Sequence, residues 1–492
     1  MLTQGEACWR IETADRAALI VDADNYFRAA ATAMAKARDS IMMVGWDFDA
    51  RIRLTPGHDD MPDETLGDFI YRLVKENPRL DIYLLRWRFG AWKILVRGST
   101  ILTLIKWFFH PRIHLRLDGR HPSGSSHHQK IVVIDDSLAF CGGIDMTADR
   151  WDTRAHDDDE PRRTRPSGQP YGPWHDATCA LHGDVARALG DVVRLRWRHA
   201  GGGDLPEVAD ENDCWPDDLE PQFRDVDIGI ARTLPDMPDW QAVHEIEALY
   251  IAQIEAAERY IYAESQYFAS HAIARAMAER LDEPNGPEIV IVNPRSAEGW
   301  LEPIAMDSAR ARLFEALSQG TGGHRLKIYH PVTAAGAEIY VHAKIFIVDD
   351  RIVRIGSSNL NNRSMRLDTE CDVVFDGARP ANHGYEDQIR AILTDLIGEH
   401  LDMRPADVDA ALRESGSLID TIEALRHPVG DGRRTLEPYT IPDLDAVHEF
   451  VADNQILDPE GPDQMFETFK RRKLLRGLLG QMRERITHRR SS

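Results

Sequence analysis

At 492 residues the chain is longer than one ordinary domain, and 43% hydrophobic with 28% charged residues predicts two to four compact, well-cored units. A formal net charge of −22 argues against a general nucleic-acid binder, whose affinity comes from cations facing phosphates, yet leaves room for a small basic pocket inside an acidic shell. The five cysteines, Cys8, Cys141, Cys179, Cys214 and Cys371, are odd in number and lack metal-ligand spacing, which argues against a disulfide scaffold and for a reducing compartment.

Along the chain, the opening MLTQGEACWRIETADRAALIVDAD has no basic segment ahead of an apolar core, so no cleavable secretion signal is expected. Residues 22–39 carry apolar and small residues at helical spacing and lead into a buried strand over 41–49, IMMVGWDFD. LDIYLLRW (80–87) and RIHLRLDG (112–119) predict further strands. Between them ILTLIKWFFH (101–110) is about half the ~20 residues that a spanning helix needs and contains Lys106. Residues 150–173, rich in Asp, Arg, Pro and Gly, predict a long loop, and the acidic stretch 201–227 a linker.

The second half repeats the order. Residues 243–268 predict a helix and then a strand, YIYAESQYF, followed by strands over 288–294, 326–331 and 341–350. After about residue 400 the chain reads as helical with a basic tail. Alternating helices and strands imply an α/β architecture, with lobes over 1–200 and 228–400 and a helical extension over 401–492.

One short pattern occurs twice. HQKIVVIDDSLAFCGGID begins at His128, and HAKIFIVDDRIVRIGSSN begins at His342. Each runs His, Lys two later (Lys130, Lys344), Asp seven later (Asp135, Asp349) and Gly fourteen later (Gly142, Gly356). With 20 histidines and only nine lysines in the chain, two such copies are far from chance. On a strand, residues i and i+2 face one way, so each His projects with its Lys. Two such strands brought face to face present two imidazoles and two ammonium groups to one small anion. Asp135 and Asp349 have the opposite parity and are expected to organise the site where each strand turns, and the glycines to permit close chain approach beneath it.

Two histidines suit a double displacement at phosphorus: one attacks, and the other protonates the departing alcohol and then activates the second nucleophile. The lysines offset charge on the non-bridging oxygens. This chemistry needs no metal or other cofactor, and no His/Cys or carboxylate cluster stands at metal-ligand spacing. A nucleophilic His also needs an acid on its other ring nitrogen. Asp176 in the first half, 48 residues beyond His128, and Glu370 in the second, 28 beyond His342, each open an apolar strand and are the candidate orienting acids.

These residues resemble the HKD signature of the phospholipase D superfamily over roughly residues 15–400. The second copy fits H-x-K-x4-D-x6-G-S-x-N throughout, and the first carries Gly143 and Asp145 in place of Ser and Asn. GG-x-D and YIYAESQYF resemble the lipid-cleaving branch. The resemblance implies two similar lobes, each a mixed sheet flanked by helices, about a pseudo-twofold axis with the active site at their junction. It implies His128 as nucleophile and His342 as general acid, with Asp145, Ser357 and Asn359 lining the phosphate pocket. The spacing itself does not choose between the histidines.

The expected activity is hydrolysis or transphosphatidylation of a glycerophospholipid. A cardiolipin or phosphatidylserine synthase-like transferase is the alternative, followed by a nuclease and a non-catalytic lipid binder. Expected partners are a phospholipid and the surface of a membrane, with no nucleic acid and, since both motifs share one chain, no second copy. A cytoplasmic or peripheral-membrane location follows, with export without a signal peptide left open. Trp151 and Trp174 offer either a cation–π cage for a quaternary ammonium or simple packing. Residues 470–492 carry nine Lys or Arg against Glu484, a net of +8 that leaves −30 elsewhere, and so offer a helix for an anionic bilayer or for the protein's own acidic surface.

Overall fold

The computed structural model describes residues 2–88, 106–107, 109–122, 124–297 and 303–441. The basic tail and residues 101–105 of the apolar stretch lie outside the described residues. In the first half the strands are β1 (Arg10–Val21), β2 (Ser40–Gly45), β3 (Asp81–Trp87), β4 (Ile113–Asp118), β5 (Ile131–Ile134), β6 (Leu138–Gly142), β7 (Trp174–His175) and β8 (Ala177–His182). The second half adds β9 (Phe223–Leu234), β10 (Val243–His244), β11 (Tyr260–Glu264), β12 (Glu288–Val292) and β13 (Leu326–Val332). It continues with β14 (Tyr340–Val341), β15 (Ile345–Val348), β16 (Ile352–Gly356), β17 (Glu370–Asp376) and β18 (Thr435–Pro438).

One long sheet runs through both halves in the order β18-β13-β12-β11-β15-β16-β17-β9-β1-β8-β6-β5-β2-β3-β4. Reading outward from the β9–β1 seam, each strand of one half meets its counterpart in the other: β8 matches β17, β6 matches β16, β5 matches β15. The seam itself is antiparallel, with Arg10 opposite Ile230 and Ala17 opposite Phe223. In each half the three strands β2-β3-β4 or β11-β12-β13 are parallel, and helices Leu66–Glu76, His271–Asp282 and Ser308–Ser318 lie in the β2–β3, β11–β12 and β12–β13 connections. Strands covered on both faces need no polar side, which is why SIMMVG and IFIV are buried throughout.

The two halves share one core. Leu189 and Val192 of the helix Asp184–His199 and Leu393, Leu396 and Ile397 of the helix Glu386–Leu401 belong to the same apolar cluster. Phe223 and Phe375 stack inside it with ring centroids 4.5 Å apart. Each half also has a cluster of its own on the opposite face.

The structure departs from the sequence expectations in four places. The stretch expected as a linker over 201–227 ends in β9, and its irregular part is fastened to the first half: Asn212 donates to Asp135 at 2.7 Å, and Cys214 and Trp215 are buried. The region beyond residue 400 includes β18, which extends the sheet edge beside β13, as well as the helices Pro405–Ser415 and Leu418–Leu425. The seam strand β1 carried no sequence signal beyond weak alternation. The two His-x-Lys units precede β5 and β15 rather than lying within them, because the chain there bends away to pair across the junction. Among the described residues, no helix is long and apolar enough to cross a membrane.

Candidate active site

The sequence explains how each motif is anchored. Asp135 and Asp349 stand in the turns after β5 and β15 with positive φ (49° and 53°), which short polar side chains tolerate. Asp349 accepts backbone N–H groups of Glu258 (3.0 Å), Arg259 (2.8 Å) and Tyr260 (3.0 Å). Asp135 does the same for Arg38 (2.7 Å), Asp39 (2.8 Å) and Ser40 (2.7 Å). They tie the motif strand to its neighbour at the end remote from the histidines, roughly 13 Å along a four-residue strand. Neither therefore reaches the cleft; both act on the site through the strands that they anchor.

At the other end of these strands the halves cross. Residues 126–128 pair with Thr369: its N–H donates to Ser126 O (3.0 Å), and the His128 N–H donates to Thr369 O (3.0 Å). In the counterpart ribbon, β14 lies parallel to β7, and the His342 N–H donates to His175 O (2.7 Å). The carboxylate following each crossing thus falls on the histidine of the other half. His128 Nδ1 lies 2.9 and 3.0 Å from the two oxygens of Glu370, and His342 Nδ1 lies 2.7 Å from Asp176 Oδ2. The arrangement by halves expected from sequence, Asp176 with His128 and Glu370 with His342, is reversed. Nearness in sequence said nothing of the ladder that crosses the junction.

With Nδ1–H donating to a carboxylate, each ring turns Nε2 away from it. Both histidines line one cleft of about 510 Å³, together with Asp145, Arg150, Asn359, Ser364 and Glu370. His128 is the more open, with its side chain 16% exposed against 6% for His342. Burial, then the charges of Lys130 and Lys344, hold the His128 ring well below the ordinary imidazole range. Burial, then Lys344 and Arg150, do the same for His342. Burial pushes the Lys344 ammonium down to about 7 against the pull of Asp176. Burial raises the carboxyls of Glu370 and Asp176, opposed by Lys130 and Lys344 respectively.

Both lysines fold back on their motifs. Lys130 Nζ donates to His128 O at 2.8 Å and lies 3.3 Å from Asp145, and Lys344 Nζ donates to His342 O. Asp145 is in the cleft wall as a counter-ion for Lys130, and its Oδ1 accepts the Trp46 N–H at 2.9 Å. Asp145 thus lines the pocket, and it also balances the charge of Lys130. Ser357 is corrected: its hydroxyl donates to Glu370 Oε2 at 2.5 Å, so it supports the acid behind the ring. Asn359 does line the cleft, and its buried Oδ1 has no hydrogen-bond partner.

Sequence reasoning missed Ser364, which donates to the other Glu370 oxygen at 2.8 Å, and Arg150, whose guanidinium lies 4.3 Å above the Trp174 ring. Ser364 is five residues beyond Asn359 and just outside the motif; Arg150 sits at the head of an irregular loop that gave no periodic signal. The same contacts settle the tryptophans. Trp174 is stacked between Tyr340 (4.6 Å) and Arg150, and Trp151 donates to Asp24 at 3.1 Å, so both rings pack against the protein's own groups. His127, set aside as a neighbour, is fully buried between Thr369 and Asp118 and belongs to the crossing. Among the described residues, the side-chain groups able to hold a metal ion include neither His128 nor His342.

Fold and site define a class: an α/β chain of two matching halves that contribute one imidazole each, and an acid to the other's imidazole, at a shared cleft. Residues 250–393 match the family model described as cardiolipin synthase, PLD-like domain. Phospholipase D A of Dictyostelium discoideum is 25% identical over 429 residues, which cover 73% of this chain and 32% of that protein. Phospholipase D alpha 1 of Oryza sativa subsp. japonica is 26% identical over 514 residues, 75% of this chain and 63% of the relative. The chain thus spans less than two thirds of the length of these curated relatives. In fold it is similar to the phosphatidylserine synthase of Haemophilus influenzae Rd KW20, with a TM-score of 0.50 and 14% identity over 76% of this chain and 86% of that one. The family-model match and these relatives together support the phospholipase D superfamily for this chain.

Proposed function

We propose that the cleft splits a glycerophospholipid phosphodiester in two displacements through a covalent phosphohistidine, releasing the head-group alcohol and then phosphatidic acid. The observation that carries this reading is the pair of imidazoles lining one cleft, each with Nδ1 held by a carboxylate and Nε2 left for chemistry. His128, the more open ring, attacks phosphorus with its Nε2 lone pair while the bond to the head-group oxygen breaks, and His342 gives its Nε2 proton to that oxygen. Water then attacks phosphorus, its proton passes to His342, and the phosphorus–His128 bond breaks. The phosphodiester's own negative charge offsets Lys130, Lys344 and Arg150, so binding substrate restores basicity to the ring that must carry a proton. Asn359 serves as a further polar contact for the phosphate oxygens.

An alcohol in place of water completes the same cycle as a phosphatidyl transfer, the second reading, which the match of residues 250–393 to a cardiolipin synthase-type domain favours. The test supplies phosphatidylcholine vesicles with and without added glycerol to the wild type and to His128→Ala, and locates labelled phosphorus in quenched wild type by mass spectrometry. Choline release that the variant lacks, with phosphorus on His128, is expected; phosphatidylglycerol dominating over phosphatidic acid selects transfer. Phosphorus on His342 would reverse the roles, and cleavage of DNA without lipid turnover would overturn the lipid reading.

A further inference from the structure

We propose that Asp22, His156, His175 and Glu399 form a closed site for one divalent transition-metal ion of the zinc class, beneath the junction of the two halves. This goes beyond the phosphodiesterase reading and does not rest on it. The four side chains come from the end of β1, the loop 150–173, β7 and the helix Glu386–Leu401, and all are buried.

Their donor atoms already make the frame of a coordination shell. His156 Nε2 lies 3.0 Å from Glu399 Oε1 and 3.4 Å from Asp22 Oδ2. His175 Nδ1 lies 2.8 Å from the same Glu399 oxygen and 3.4 Å from Asp22 Oδ1. Ligand atoms held 2.0–2.1 Å from a tetrahedral zinc ion stand roughly 3.3 Å from one another. Asp22 Oδ2 is buried and makes no hydrogen bond; His156 Nε2 stands beside it at 3.4 Å.

The outer shell has the same character. The far nitrogen of each imidazole meets a carboxylate: His156 Nδ1 lies 3.0 Å from Asp152 Oδ2, and His175 Nε2 lies 2.8 Å from Glu264 Oε2. Asp152 is held in turn by Arg163 (3.0 Å), and Glu264 by the Tyr262 hydroxyl (2.6 Å) and His400 (3.0 Å). Carboxylate–imidazole pairs of this kind fix the tautomer and orientation of metal-binding rings. Two imidazoles select a zinc-type ion over calcium, which takes six to eight oxygens. With all four positions filled by protein the ion is structural.

The ion would brace the active site from behind. Asp22 Oδ1 accepts the Asp176 N–H (3.1 Å), the Asp22 N–H donates to Asp176 O (2.8 Å), and His175 O accepts the His342 N–H (2.7 Å). The backbone that carries the Asp176–His342 pair is therefore the backbone of the site.

The test measures metal, not turnover, so it fails or succeeds apart from the phosphodiesterase reading. The full chain is passed over gel filtration after exposure to Zn2+ and assayed by plasma mass spectrometry. The chelator-stripped protein is melted with and without Zn2+ and titrated with Co2+. Roughly one zinc per chain, a higher Tm on its return and the visible bands of tetrahedral Co2+ are expected. His156→Gln and Glu399→Gln should retain less than about a tenth of the zinc; His182→Gln, in the group Asp15, His182 and Glu211 whose two acids are exposed, should retain all of it. Should either site variant fail to fold, the Co2+ spectrum of the wild type still decides. Substoichiometric zinc with no Tm change, zinc that follows His182, or calcium bound in its place overturns the proposal.

Discussion

Glu370→Gln tests the core of the proposed chemistry with the smallest change of shape. Each Glu370 oxygen accepts one serine hydroxyl, Ser357 at 2.5 Å and Ser364 at 2.8 Å, and both face His128 Nδ1. An amide has one acceptor oxygen, so one serine loses its acceptor in either orientation, and where the NH2 turns to Nδ1 it also moves the ring proton to Nε2, the atom that must attack. Losing a hydrogen bond to a charged partner costs about 1.5–3 kcal/mol, which is 10- to 150-fold in rate at ~1.4 kcal/mol per decade. A tautomer reversal behind a nucleophile's histidine costs up to about 10⁴-fold in triad enzymes. We expect kcat to fall about 10³-fold with KM within about threefold, since the acid touches the ring and not the substrate. Stability moves the other way. The Glu370 carboxyl is raised by burial, so above the unfolded value of about 4.3 its ionisation opposes folding, and the neutral amide removes that opposition. Initial rates of head-group release, with a thermal melt of the same preparation, separate the two. A variant that is fully folded and retains more than a third of wild-type kcat refutes the role given to Glu370.

Three further outcomes follow from the geometry. Because burial places Lys344 near 7 in the free protein, and a bound phosphate anion raises it, kcat/KM should decline as pH rises through about 7 while the basic limb of kcat lies higher; coincident limbs, or a flat profile to pH 9, count against a charged Lys344. Gly143→Ala puts a methyl 2.3 Å from Asp176 Oδ1 and 3.2 Å from Lys344 Cδ, so Asp176 must leave His342: kcat should drop at least about tenfold for a stability loss of about 1–3 kcal/mol, read by rates and urea titration. Asp349→Asn keeps the left-handed turn but gives three backbone N–H groups one acceptor oxygen, so urea unfolding should show a loss of about 3 kcal/mol while the folded fraction turns over within about twofold of wild type.

Much of this was legible in the amino acids, for a physical reason. Motif residues close in the chain meet through local geometry, so the twin His-x-Lys-x4-Asp units pointed to the two histidines of the cleft, and alternating apolar runs exposed the α/β layering. What escaped depended on contacts between distant residues. The exchange of Asp176 and Glu370 is set by ladders joining residue 128 to 369 and 342 to 175. The buried set of Asp22, His156, His175 and Glu399 has no spacing to detect, since its members come from both halves and four separate elements. Ser357 was assigned to the phosphate because a motif records which residue stands at a position and not which way its hydroxyl points.

The crossed acids have a bearing on descent and on engineering. Either half, produced alone, would present a motif histidine whose ring has no carboxylate to hold its proton, so neither half is a catalyst with one partner missing but an incomplete component. A lesion in Glu370 strips the carboxylate from His128, 242 residues upstream, and one in Asp176 strips it from His342, 166 residues downstream. Two fused copies wired in this way cannot drift apart independently: each must keep the surface that the other reads.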